Sequence, residues 1–245
     1  MEQEPLSVLL IGALGRLGRH ADALLRATPG IQVVARLGRG EINSDCIRAT
    51  GATVGLEMTA AGQGLAHGLA LLEGGVRPVI ATSGVSAEDT EALDRRAREL
   101  NLGGIVVPNF SLGMWLMQRT AAELAHFYPR AEIVETHHAE KRDAPSGSAL
   151  QTRERMTSAS PSADSAKIPI HSLRLPGVLA NQEVIFGGKG ELLRITHETF
   201  GPEAYDAGLL CAVRYAARAS GVQRGIEIPF ERCGIRAGTL HPPAR

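Results

Sequence analysis

Between Glu135 and Ala149 the chain reads Glu-Thr-His-His-Ala-Glu-Lys-Arg-Asp-Ala-Pro-Ser-Gly-Ser-Ala, which gathers two imidazoles, an ammonium group and a glycine turn after a strand. His137 and His138 are adjacent, so on a continuing strand they project to opposite sides, and no third ligand stands at the spacing of a helical zinc site. No metal is expected. Lys141, with the backbone N–H groups of Gly147 and Ser148 at the start of a helix, makes a receptor for a carboxylate. A histidine beside it, titrating near neutrality, can give a proton to a reduced substrate. The same residues also suit a plain helix start after Asp143-Ala144-Pro145-Ser146, with both histidines hydrogen-bonded inside a loop.

A second cluster opens the chain. Gly12-Ala13-Leu14-Gly15-Arg16-Leu17-Gly18 follows an apolar strand and begins a helix, the context in which glycines let backbone N–H groups approach a pyrophosphate. The spacing is GxxGxxG, and a tight strand-to-helix turn needs glycine for packing in any case. An NAD-preferring site places an acid about 20 residues further on, against the adenosine ribose. Here the second strand ends Ala35-Arg36-Leu37-Gly38-Arg39, with no acid until Glu41. No carboxylate repels a 2′-phosphate there, and Arg16, Arg36 or Arg39 offers it a planar, permanently charged partner. NADPH is therefore the expected cofactor, with NADH possible, although each arginine also reads as solvated surface charge.

The elements that must hold these residues follow from periodicity. Strands are expected at Ser7–Ile11, Gln32–Ala35, Pro78–Ala81 and Ile105–Val107, with helices at Arg16–Ala27 and Ala87–Leu100. That alternation predicts a parallel doubly wound sheet with ligands at the carboxyl ends of its strands. After Asn109 the rhythm changes to a long helix over Leu112–Phe127 and a β-rich run at Glu132–Thr136, Ile170–Leu175, Asn181–Gly187 and Glu191–Glu198. A mobile surface loop is expected over Thr157–Ala166, then a helix at Tyr205–Ala219 and a strand near Gly225–Pro229 that return the chain to the first domain.

Composition bounds the function. With 245 residues, 44% of them apolar, the chain can bury a core, and 26 Lys plus Arg against 26 Asp plus Glu leave no field to attract nucleic acid or an acidic membrane. Cys46, Cys211 and Cys233 have no metal-ligand or disulfide-framework spacing, so buried thiols in a reducing compartment are expected. Two glutamates within Met1–Pro5 and an apolar run confined to Leu6–Ile11 argue against a secretory signal or a span, and for a soluble cytoplasmic protein.

The block His137-His138-x-x-Lys141-x-Asp143-Ala144-Pro145-Ser146-Gly147, followed by the small hydroxyl residue Ser148, resembles the signature of dihydrodipicolinate reductase. Gly12-x-x-Gly15-Arg16-x-Gly18, Ala81-Thr82-Ser83-Gly84, Pro108-Asn109-Phe110-Ser111-x-Gly113, Arg174-Leu175-Pro176-Gly177 with Gln182-Glu183-Val184, and Ile195-Thr196-His197 fall in the family's order. The similarity runs from Val8 to about Glu227. It implies an α/β protein in which a Rossmann-like dinucleotide-binding domain, residues 1–108 and 214–245, accompanies an α+β domain, residues 109–213, with an open mixed sheet for substrate binding and oligomerisation. It further implies NAD(P)H-dependent reduction of 4-hydroxy-tetrahydrodipicolinate, a small cyclic dicarboxylate, to tetrahydrodipicolinate in lysine and diaminopimelate biosynthesis, by a homotetramer.

Position by position, the resemblance makes His137 the proton donor and Lys141 its assistant, with His138, Gly147 and Ser148 on the substrate carboxylates. Gly12, Gly15, Arg16, Leu17, Arg36, Thr82, Gly84, Asn109, Phe110 and Ser111 would line the cofactor site. The chain departs from the family at Glu57-Met58-Thr59-Ala60-Ala61, in place of Asp-Phe-Thr-x-Pro, at Ala81 in place of glycine, and at Ser148 in place of threonine. A glycine at position 81 would permit positive φ or close approach of a cofactor. Two other functions stay open on the residues: an imine or amino-acid dehydrogenase on a related scaffold, and a nucleotide-binding regulator that has lost catalysis.

Overall fold

A computed structural model describes residues 4–38, 40, 42–159 and 168–233. Its contacts divide the chain into two compact units, residues 1–110 with 205–245 and residues 111–204.

The first unit is built on β1 (Leu6–Ile11), α1 (Arg16–Ala27), β2 (Ile31–Leu37), α2 (Ser44–Arg48), β3 (Val54–Glu57), α3 (Gly64–Glu73), β4 (Arg77–Ile80), α4 (Ala87–Glu99) and β5 (Gly103–Val106). Short apolar strands and helices of three turns bury their faces together. Val8 to Ile11 of β1 are fully buried, and α1 turns Gly18, Ala21 and Leu25 inward at helical spacing. With β10 (Gly221–Arg224), which follows much later in the chain, these strands form a sheet of six parallel strands in the order β10-β5-β4-β3-β1-β2. The order reverses between β1 and β3, which puts the ligand crevice of such a sheet at the ends of those two strands.

Two elements of this unit differ from expectation. β3 is only four residues long and contains Gly55, where a Cβ would stand 2.2 Å from a Leu71 methyl. A glycine that weakens the strand pattern is the one that lets α3 pack. At the far edge, β10 is Gly221–Arg224, paired with Gly103–Val106, and Gly225–Pro229 is not a strand. Glu227 instead starts α8 (Glu227–Cys233), where Pro229 lies in the first turn and lacks only an N–H that has no partner within the helix. α7 (Asp206–Ala216) belongs to this unit and buries Leu209, Ala212, Val213 and Ala216. The thiols are not uniformly buried: Cys211 is, but Cys46 and Cys233 are exposed, because α2 turns Ile47 inward and leaves its neighbour outside.

The second unit pairs α5 (Leu112–Leu124) and α6 (Gly147–Ala159) with a mixed sheet of β6 (Arg130–His137), β7 (Ile170–Arg174), β8 (Ala180–Gly188) and β9 (Glu191–Thr199). The strand order is β7-β6-β8-β9, with β6 and β7 parallel and the other pairs antiparallel. Alternate residues of each strand, including Ala131, Ile133, Val184 and Phe186, pack with Met114, Met117 and Met156 into the unit's core. The surface loop expected over Thr157–Ala166 is corrected at its start, since α6 continues through Ala159. Residues 160–166 lie outside the described residues. Among the described residues no helix is long and apolar enough to cross a membrane.

Candidate active site

In the second unit the site grows from the end of β6. Alternation along the strand sends Ala131, Ile133 and Glu135 to the covered face, so a carboxylate occupies a position that asks for an apolar side chain. Glu135 is fully buried, and burying a charge is costly unless it is paired and hydrogen-bonded. Arg174 provides the pairing. The parallel register of β6 and β7 sets His137 opposite Arg174, whose Nη1 and Nη2 donate to Glu135 Oε2 and Oε1 at 3.1 and 2.9 Å. The Ser146 N–H donates to Oε1 at 3.3 Å, and the Ser172 side chain adds a further bond. The other neighbour is His137, two residues on and therefore on the same face, whose Nδ1 meets Glu135 Oε2.

The electrostatics follow from this packing. Burial pushes the Glu135 carboxyl up, but the hydrogen bonds from Arg174, Ser172 and His137 outweigh it and hold the group below the usual carboxylate range. Burial pushes His137 down, against the pull of Glu135 and with the added push of the Lys141 and Arg174 cations. Nδ1 is the ring nitrogen turned to Glu135, and Nε2 is the nitrogen left for a ligand.

Arg174 also ties down the following loop, donating to the Asp143 carbonyl at 2.6 Å and the Lys141 carbonyl at 3.3 Å. Ser146 ends that loop as the cap of α6, its Oγ accepting the Ala149 N–H at 3.2 Å. Gly147 then opens the helix with ordinary backbone, and a Cβ there would meet nothing within 4 Å. Lys141 Nζ donates to Asp143 Oδ1 at 2.7 Å, and His138 Nδ1 lies 2.9 Å from Glu140 Oε2. Both acids are well exposed. Exposed pairs of this kind contribute at most about 1 kcal/mol, so an arriving carboxylate replaces either acid at little cost.

The structure therefore brings His137 and Lys141 into electrostatic contact, with Glu135 and Arg174 beneath them and Gly147 and Ser148 at the helix start. Glu135 and Arg174 had no role assigned from sequence. The available signal was an acid two positions before a histidine on an inward-facing strand parity.

In the first unit, Gly12 follows β1 at φ +87°, and a Cβ on it would lie 2.5 Å from the Met58 carbonyl oxygen. At Gly18 a Cβ would lie 2.2 Å from the Gly12 carbonyl oxygen. These glycines are required by the turn itself, whatever binds there. Gly15 precedes α1 without a side-chain cap, so the first N–H groups of α1 are free of such a partner and suit an anion. Arg16 at the helix start is exposed and Leu17 is half-buried. Arg36 is held by Asp22, at 2.6 and 2.9 Å. The acid missing after β2 is thus supplied from α1, and Arg39 and Glu41 lie outside the described residues.

At the end of β3 the fully buried Glu57 accepts from the Thr59 N–H at 3.1 Å, the Thr59 hydroxyl and His67 Nδ1 at 3.1 Å, all through Oε1. The Thr59 N–H also reaches Thr82 Oγ1 at 3.0 Å, so the buried Thr82 hydroxyl braces this turn. Ala81 does not adopt the left-handed backbone feared for it: among described non-glycine residues only Asn101 has positive φ, while Gly84 takes +87°. Asn109 is half-buried. Phe110 is buried, its carbonyl oxygen only 1.9 Å from where a Gly208 Cβ would stand. Ser111 lies in the second unit, where it caps α5 and meets His197 Nε2 at 3.1 Å. Among the described residues no group of three or more His, Cys, Asp or Glu side chains could hold a metal.

Comparison with known proteins gives the same reading at both ends. The family described as dihydrodipicolinate reductase, N-terminus, matches residues 6–110, and the family described as dihydrodipicolinate reductase, C-terminus, matches residues 112–227. A 4-hydroxy-tetrahydrodipicolinate reductase of Moorella thermoacetica is 38% identical, covering 91% of this chain and 97% of its own. One from Coxiella burnetii is 36% identical, covering 91% and 98%. Among solved structures, a dipicolinate-bound dihydrodipicolinate reductase from Paenisporosarcina sp. TG-14 superimposes with a TM-score of 0.78 at 29% identity, covering 91% of this chain and 99% of that one.

Proposed function

The chain belongs to the dihydrodipicolinate reductase family, and we propose that it reduces 4-hydroxy-tetrahydrodipicolinate to tetrahydrodipicolinate with NAD(P)H, in lysine and diaminopimelate biosynthesis. The observation that carries the reading is the group formed by His137, its Nδ1 engaged by Glu135, and Lys141, paired to the exposed acid Asp143, on the loop that leads into the start of α6.

The reduced nicotinamide supplies the hydride, which is taken up at ring carbon 4 once the substrate has lost water. His137 Nε2 gives the proton that quenches the enamine-like charge left in the ring, and Lys141 assists by neutralising a carboxylate. His138 and the N–H groups of Gly147 and Ser148 hold the carboxylates. In the first unit the residues fit a dinucleotide: Gly12, Gly15, Arg16 and Leu17 suit the pyrophosphate, and Thr82, Gly84, Asn109, Phe110 and the adjoining Ser111 suit the nicotinamide end. NADPH is the preferred form in this reading, with Arg16 as first partner of the 2′-phosphate and Arg36 available if it leaves Asp22.

The protein acts in the cytoplasm as a homotetramer joined through the second unit's sheet. Support for that assembly lies on the sheet face opposite the core, where Leu173 and Leu192 are exposed beside the half-buried Val134 and Ile185. Light scattering behind size-exclusion chromatography tests it, and a monomer would remove it.

The activity is tested by following NADPH, and separately NADH, at 340 nm while dihydrodipicolinate synthase makes the substrate from pyruvate and aspartate semialdehyde. Substrate-dependent oxidation inhibited by dipicolinate is expected. Folded protein that binds nucleotide without turnover would overturn the reading.

A further inference from the structure

We propose that Glu135, clamped by Arg174, is the positioning residue of the proton donor: it fixes His137 as the Nδ1–H tautomer and leaves Nε2 as the only nitrogen that delivers the proton. The inference deepens the reading above and rests on His137 being the donor.

Three features of the geometry support it. Glu135 occupies an inward strand position that an apolar residue would fill at lower cost, and breaking a buried charge pair is strongly destabilising. Its retention here comes with a dedicated cation and two further donors, Ser172 and the Ser146 N–H. Arg174 engages both carboxylate oxygens, so the carboxylate plane is set by the sheet and the direction in which Oε2 meets His137 is set with it. Because Nδ1 is bonded to a carboxylate that cannot itself donate while ionised, the ring proton must reside on Nδ1 when His137 is neutral. Proton uptake and release are then confined to Nε2: the imidazolium gives its Nε2 proton to the reduced ring, the N–H bonding pair returns to Nε2, and the Nδ1–H bond to Glu135 persists throughout.

The charged groups around His137 are all part of this device. Glu135 comes from β6, Arg174 from the neighbouring strand β7, and Lys141 with its partner Asp143 from the loop. Among the described residues Glu135 is the one acid hydrogen-bonded to the imidazole, and it is matched by a guanidinium on its other side. Glu135 does not touch the substrate in this proposal and acts only through His137.

The test is a double-mutant cycle in the full-length enzyme, with imidazole 15N NMR as its second readout. Glu135→Gln is expected to lower kcat by on the order of 10²-fold, a share typical of general acid catalysis, with nucleotide affinity unchanged. In a His137→Gln background the same substitution is expected to cost no more than about twofold, the usual error of additivity. An equal loss in both backgrounds would overturn the proposal, because Glu135 would then act independently of His137. If His137→Gln lowers turnover and Glu135→Gln does not, this proposal fails alone. If His137→Gln leaves turnover intact, the donor assignment fails with it. Should Glu135→Gln unfold the second unit, the unsubstituted protein decides: neutral His137 is expected with a protonated Nδ1 and a bare Nε2, and an Nε2–H tautomer overturns the assignment.

Discussion

Each unit contains a fully buried glutamate bonded to the Nδ1 of a histidine whose side chain is 14% exposed: Glu57 with His67 in the first, Glu135 with His137 in the second. The likeness ends at the counter-charge. Glu135 spreads its bonds over both oxygens and faces a guanidinium. Glu57 bonds through Oε1 alone, its donors are Thr59 and His67, and Oε2 is buried without a hydrogen-bond partner. An acid next to a histidine at the end of a strand is therefore not a site by itself. The pair in the second unit is electrically balanced by Arg174 and feels the Lys141 cation as well. The pair in the first unit braces the turn beneath Gly12, through Thr59 and Thr82.

The comparison breaks most visibly in turnover. His137→Gln is expected to lower kcat by about 10²- to 10⁴-fold, the usual worth of a general acid, with nucleotide affinity unchanged. His67→Gln is expected to leave kcat within a few-fold of the parent, by the same steady-state assay. Equal losses at the two histidines would mean that the first pair also takes part in the chemistry.

Stability separates the two glutamates next. Arg174→Met strands a buried carboxylate and is expected to cost about 3–5 kcal/mol in denaturant unfolding. Glu57→Gln removes a charge that no arginine or lysine faces among its hydrogen-bond and ion-pair partners, keeps an acceptor at Oε1, and is expected to cost no more than about 1 kcal/mol. Comparable losses would show that the cation is not what distinguishes the pairs.

A pH profile sharpens the comparison at His137. Burial and the cations of Lys141 and Arg174 push its pKa below the ordinary imidazole value of about 6.5, against the pull of Glu135. A general acid works only when protonated, so kcat/KM, which reports the free enzyme, falls as pH rises through that depressed value. Bound substrate adds two negative charges and favours the imidazolium, so the fall in kcat, which reports the complex, is expected at higher pH. Coincident limbs would place the substrate carboxylates out of reach of the imidazole.

What the sequence made legible, and what it hid, divides along the same physical line. α1 lies over the expected Arg16–Ala27, because its inward residues recur at helical spacing, and the second unit's strands lie within one or two residues of their expected ends. The residues to which the second unit's chemistry is assigned stand within one contiguous segment, Glu135 to Ala149, which is why types and spacing could nominate them. Glu135 was hidden because its meaning depends on Arg174, 39 residues later, brought alongside by parallel pairing of β6 and β7. The partner of Arg36 was hidden for the same reason: Asp22 precedes it by 14 residues, on α1, where a search beyond the second strand does not look. β10 was displaced because glycines and a proline near the end of the chain give no strand pattern, and only the ladder with β5 identifies Gly221–Arg224.

The smallest expected effect separates two glycines that the motifs treat alike. Gly12 takes φ +87° and has no room for a Cβ beside the Met58 carbonyl, so Gly12→Ala is expected to destabilise the first unit and weaken nucleotide binding together. Gly147 has ordinary φ and open space where a Cβ would go, at the first position of α6. Nothing in the fold asks for glycine there, and alanine at a compatible helical position stabilises by about 0.4–1 kcal/mol. Gly147→Ala is therefore expected to hold or slightly raise Tm while raising KM for the dicarboxylate, because the added methyl stands in the space a carboxylate needs to reach the helix N–H groups. A raised KM with an unchanged melting curve marks Gly147 as a binding residue. An unchanged KM would leave the carboxylate to Lys141 and His138 and remove the helix start from the site.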